Sequence, residues 1–212
     1  MAVELWQTQV AFAIGILGVY AGWKGTISKM TGFYDLAGAV KHLVYGLVSG
    51  MLLAVCVDKI LLSSVILAYL NIVTASVFAI LIGAAEAAFV MFLLARPRVA
   101  SLRASPPYGW ALGLGIGSMQ ASYLIYRLFD KQLQYSEYSG VNVVSLFLAF
   151  AIALVSCLGH ALLASWQGSR ILESSRARPF IISAIARGAL TMCLIFSLFV
   201  PLMVLLAAPA IV

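Results

Sequence analysis

Four polar side chains fall inside long apolar stretches of this chain: Glu86, Gln120, His160 and Arg187. A carboxylate, an amide, an imidazole and a guanidinium could do general acid–base work, carry a proton or an ion, or form a buried ion pair. Glu86 is the most informative. It lies inside SVFAILIGAAEAAFVMFLLA, Ser76 to Ala95, where no other residue is charged. A carboxylate at bilayer depth costs roughly 2.5–3.5 kcal/mol on insertion scales, so it should face a partner, a cavity or a substrate rather than lipid.

The elements that must position these groups follow from composition. The 212 residues are 64% hydrophobic and 9% charged, with a mean hydropathy of +1.08. An ordinary soluble domain carries about 25% charged residues, so a water-soluble core is excluded. The expected fold class is all-α: a single polytopic transmembrane domain over residues 1–212, with about six helices of ~20 residues. Its spans are predicted near 8–23, 43–64, 76–95, 108–128, 141–166 and 180–208. Asp58 and Lys59 sit late in the second span, where they could reach headgroups. Asn71 and Thr74 mark the break before the third, Pro106-Pro107 precede the fourth, and Pro201 should kink or tilt the sixth. The first span lacks a basic leader region, carries Glu4 and is read as retained.

Loop charge orients these spans. Nine basic residues follow spans one, three and five: Lys24, Lys29, Lys41, Arg96, Arg98, Arg103, Arg170, Arg176 and Arg178. Lys59, Arg127 and Lys131 lie on the other side. The loops after spans one, three and five are therefore expected in the cytoplasm and both termini outside, with Trp23, Trp110 and Trp166 as an inner aromatic belt. The net charge of +6 is scattered singly through loops, which fits lipid headgroups better than a nucleic-acid face, so no nucleic-acid partner is expected.

Orientation then gives each polar residue a depth from the inner boundary. At 1.5 Å per residue, Glu86 lies ~14 Å deep, Arg187 ~10 Å, His160 ~9 Å and Gln120 ~18 Å. A Glu86–Arg187 pair is within reach. His160 offers either a proton-handling group or one interhelical hydrogen bond. Gly109, Gly113, Gly117 and Ala121 recur every four residues and form a small-residue ridge for close helix packing. Gln120 shares that seam, and the small residues around Glu86 suggest that spans three and four pair along it, bringing Glu86 towards Gln120. Cys56, Cys157 and Cys193 have no metal-ligand spacing and read as small buried hydrophobes. With His42 the only other histidine, no metal site or cofactor is expected, and no phosphate loop, paired-histidine zinc motif or serine elbow is present.

One resemblance adds to this reading. Ala85-Glu86-Ala87-Ala88-Phe89, followed by Gly113-Leu114-Gly115-Ile116-Gly117-Ser118-Met119-Gln120-Ala121, resembles the YhfC-like membrane peptidases. These are related by motif to the PrsW and CAAX-prenyl-protease group of glutamic intramembrane proteases. Members of that group carry a Glu-Glu pair with a basic residue soon after it, then a glycine-rich helix of the form GLGHGGxEA. The match covers roughly 36 of the 212 residues. Here Ala85 stands at the first glutamate, Phe89 near the basic residue, Ile116 at the histidine and Gln120 at the second glutamate. The resemblance thus implies the scaffold without its chemistry, since glutamic proteolysis needs a carboxylate for water and a partner for the oxyanion.

Three functions stay open on the sequence. The first is a non-catalytic membrane protein that binds a partner helix, forms a homo-oligomer or serves as a complex subunit. The second is a small-solute or ion transporter or channel lined by Glu86, Gln120, His160 and Arg187. The third is an active intramembrane hydrolase using Glu86 and His160. The missing catalytic partners and the small-residue seams favour the first.

Overall fold

The computed structural model describes residues 3–32, 35–63, 72–131, 133, 136–173 and 176–201. Among them the only regular structure is helical: α1 Leu5–Gly25, α2 Leu36–Cys56, α3 Ile72–Leu94, α4 Pro97–Ser101, α5 Ser105–Leu128, α6 Val143–Leu172 and α7 Ala177–Ser197. A 3-10 turn, Ile27–Lys29, follows α1, and a π-helical turn, Val57–Leu62, continues α2. Five of these helical stretches are long and apolar enough to cross a membrane: those containing α1, α2, α3, α6 and α7. The protein is therefore a multi-helix membrane protein by length and composition. α5, expected as the fourth span, has the length but is less apolar, because glycine and serine replace larger residues along it.

Local chemistry sets the helix ends. Asp35 caps α2 by accepting the Gly38 N–H at 2.8 Å. Asn142 and Ser145 cap α6 reciprocally, with bonds of 2.8 and 2.9 Å. Pro106 and Pro107 sit in the first turn of α5, where a missing N–H costs nothing. The Leu94 carbonyl at the end of α3 would otherwise be orphaned; it accepts the Ser105 hydroxyl at 3.0 Å.

Several boundaries differ from the sequence expectation. Thr74 lies inside α3 rather than at a break, and Asn71 falls outside the described residues. α7 ends at Ser197, so Pro201 follows the helix instead of kinking it; residues 202–208 lie outside the described set. Trp110 is buried, and its indole N–H donates to the Gly22 carbonyl at 3.1 Å, so it ties α5 to α1 rather than joining a lipid-facing belt. Cys56 is exposed, whereas Cys157 is buried. Asp58 is buried, and its carboxylate takes Arg127 Nε at 2.6 Å and Nη2 at 2.9 Å. It is therefore held inside the protein rather than reaching for headgroups, and the wider π turn of α2 carries it there.

The bundle is organised around α5, of whose 24 residues 18 are buried. It packs chiefly on α6 and α2, with α1 closing a third side, while α3 packs chiefly on α7. The glycine ridge explains the first contact. A Cβ at Gly113 would lie 2.3 Å from the His160 carbonyl oxygen, and Gly109 and Gly117 meet the Ala164 and Ser156 carbonyls in the same way. The ridge therefore faces α6 and not α3, which corrects the expected pairing of spans three and four. α3 uses a different glycine: a Cβ at Gly83 would fall 2.4 Å from the Ala184 carbonyl oxygen of α7. Without a hydrophobic drive between helices in lipid, such close backbone contact is a principal source of association.

Candidate functional site

The close crossing of α3 and α7 positions the first two functional groups. Glu86 lies three residues after Gly83 and Arg187 three after Ala184, so the glycine that lets the backbones meet also aligns a carboxylate with a guanidinium. Arg187 Nε stands 2.8 Å from Glu86 Oε1. The same oxygen accepts His160 Nδ1–H at 2.7 Å, reaching from α6. On the other side, Gln120 Nε2 of α5 lies 3.5 Å from Glu86 Oε2. The four residues singled out in the sequence thus come together from four helices. None is more than 2% exposed.

Two further residues complete the cluster and were not singled out in the sequence. Gln167 donates from Nε2 to the Ala87 carbonyl at 2.9 Å, which orients its Oε1 towards α7. Ser183 donates to that Oε1 at 3.2 Å and accepts Arg187 Nη1 at 2.9 Å. Arg187 Nη1 also lies 3.5 Å from Gln167 Oε1. Helical spacing could have pointed to both: Gln167 is seven after His160, and Ser183 is four before Arg187.

The arrangement has definite chemical consequences. Hydrogen bonding to a carbonyl or carboxylate requires a donor, so His160 carries its proton on Nδ1. Both Glu86 oxygens have a polar neighbour, and at 1% exposure the carboxylate does not face water. Among the described residues, His160 Nε2 and Arg187 Nη2 are buried without a hydrogen-bond partner, and the Arg187 Nε–H is not aimed at the nearby carboxylate. Ser118 Oγ points to the Gly115 carbonyl of its own helix at 3.4 Å. Among the described residues, no three His, Cys, Asp or Glu side chains gather into a group that could hold a metal ion.

A second polar pair lies beside the first. Gln120 lines a small space together with Asp58, Leu62 and Arg127, so the Asp58–Arg127 ion pair and the Glu86 cluster approach the same stretch of α5.

At the end of the bundle where α2 and α5 begin, Asp35 accepts a hydrogen bond from the Tyr108 hydroxyl. That bond, followed by the Gly38 N–H, holds the Asp35 carboxyl below its usual value of 3.8. Compared with known proteins, the chain matches no family model, no curated protein and no solved structure.

Proposed function

We propose that this protein is a non-catalytic six-span membrane protein that binds a partner helix or serves as a subunit of a membrane complex. Its scaffold, on this reading, is that of the glutamic intramembrane proteases without their chemistry. α5 supplies the fourth span, both termini face outside, and the three basic loops lie in the cytoplasm. One observation carries the non-catalytic part: Glu86 is 1% exposed, with His160 and Arg187 on one oxygen and Gln120 nearest the other. A general base must reach water or substrate, and a carboxylate so buried does not. Glu86 instead acts as a clamp between α3–α7 and the helices around α5. Gln120, standing where the resembled family has its second glutamate, supports the same reading because an amide cannot serve as an acid or a base.

The test is native mass spectrometry of tagged protein drawn from its own membrane in mild detergent. A stoichiometric partner subunit is expected. A lone monomer, together with Glu86-dependent processing of a membrane substrate, would refute the proposal.

Transport is a second reading, favoured by the Nε2 of His160 and Nη2 of Arg187, which have no partner among the described residues, and by the space that Gln120 shares with Asp58. Buried polar groups without partners are rare and often mark a pathway. It predicts solute or ion flux in proteoliposomes that Glu86→Gln abolishes while the protein still folds.

A further inference from the structure

A second site lies away from the buried cluster. Between the start of α2 and the junction of α3 with α4 is a cleft of about 420 Å³, lined by Lys41, His42, Arg96 and Arg98 and closed at one side by Asp35 and Tyr108. Three cations face one carboxylate, both of whose oxygens are already engaged: one Asp35 oxygen accepts Gly38 N–H and the other the Tyr108 hydroxyl. Among the described residues, Lys41, Arg96 and Arg98 are in no ion pair with an acid. The wall is rigid. His42 stacks on Tyr108 with ring centroids 4.2 Å apart and planes at 20°, and its Nδ1–H donates to the Gly38 carbonyl at 2.8 Å.

An exposed apolar stripe runs along α2 from the cleft's Lys41. Val44, Val48 and Leu52 lie three, seven and eleven residues after Lys41, on one face of α2, and are 48%, 63% and 68% exposed. Arg96 stands over the ring of Phe92, 5.2 Å from its centroid, and that ring is itself exposed. A soluble anion would use only the cations. A phospholipid would use the cations for its phosphate and the α2 stripe for an acyl chain.

We propose that this cleft binds the phosphate group of an anionic phospholipid, held by Lys41, Arg96 and Arg98, with an acyl chain along Val44, Val48 and Leu52. Arginine forks match phosphate oxygens in pairs, and lysine adds a point charge. Basic pockets between membrane helices take lipid headgroups by the same chemistry. The site stands whether or not the buried cluster is catalytic.

The experiment uses the full chain in detergent, mixed with equal phosphatidylglycerol and phosphatidylcholine and read by native mass spectrometry, with inorganic phosphate as a separate arm. Wild type should retain phosphatidylglycerol over phosphatidylcholine. Each cation near a headgroup is worth about fivefold, so Arg98→Gln alone should cut that preference about fivefold. The triple variant Lys41→Gln/Arg96→Gln/Arg98→Gln should abolish it, and Arg170→Gln, a basic side chain at the end of α6, should leave it intact. If the triple variant does not fold, Arg98→Gln against Arg170→Gln decides. Equal retention of the two lipids by wild type, an unchanged ratio in Arg98→Gln, or binding of inorganic phosphate without lipid preference would each overturn the proposal.

Discussion

Glu86→Gln is the perturbation that weighs the clamp most directly. Glutamine keeps the shape of glutamate and its Oε1 can still accept the His160 proton, so the change removes charge and little else. What it leaves is Arg187, 0% exposed, beside an amide. Solvent cannot screen a side chain so placed, and breaking a buried pair from one side typically costs about 3–5 kcal/mol. Ser183 and Gln167 still engage Nη1, which places the expected loss near the lower end, about 3 kcal/mol. Removing both charges in Glu86→Gln/Arg187→Gln should cost less than the sum of the single changes, because neither variant group is then a stranded ion. The assay is reversible unfolding in mixed micelles against SDS mole fraction, followed by far-UV circular dichroism. A Glu86→Gln protein within about 1 kcal/mol of wild type, or a double variant whose loss equals the sum, would refute the reasoning.

Three other outcomes follow from the same structure. Asp58→Asn strands Arg127, which is 25% exposed and can reach water, so in the same assay it should lose less than Glu86→Gln, about 1 kcal/mol. Gly113→Val should destabilise by about 1–3 kcal/mol, because its Cβ would meet the fixed carbonyl of His160; Gly25→Ala, with open space around it, should stay within about 0.5 kcal/mol. Asp35→Asn keeps the cap but removes a carboxylate whose folded-state value lies below its usual 3.8. A depressed folded value contributes stability above the unfolded value and loses it as pH falls through the folded one. Wild type should therefore melt above Asp35→Asn at neutral pH, and the gap should close below pH 3.8. A gap independent of pH would contradict that assignment.

The sequence carried much of this arrangement because charge inside an apolar run has few acceptable surroundings. Glu86 and Arg187 could be matched by depth alone, since each needs a partner and each lies within reach of the other. His160 was legible as a polar group at similar depth, and Gln120 was expected towards Glu86, where it lies 3.5 Å from Oε2. Helix partnership was harder to read. A glycine ridge says that some backbone approaches closely without saying whose, and the ridge on α5 met α6 while Gly83 chose α7. Asp58 was misjudged for a related reason. Its place near the end of an apolar run suggested water, whereas the π turn carries it towards Arg127, 69 residues further along the chain. Gln167 and Ser183 were not singled out because neither is charged.

Reaction of native membranes with dicyclohexylcarbodiimide, followed by peptide mass spectrometry, tests most directly whether Glu86 is a closed clamp. The reagent enters bilayers and attacks carboxylic acids that are protonated and accessible from the apolar phase. The account predicts no adduct on Glu86 in the wild-type protein and an adduct once Arg187→Gln removes the counter-ion. Rapid labelling of wild-type Glu86 would mean an open, working carboxylate and would contradict the account.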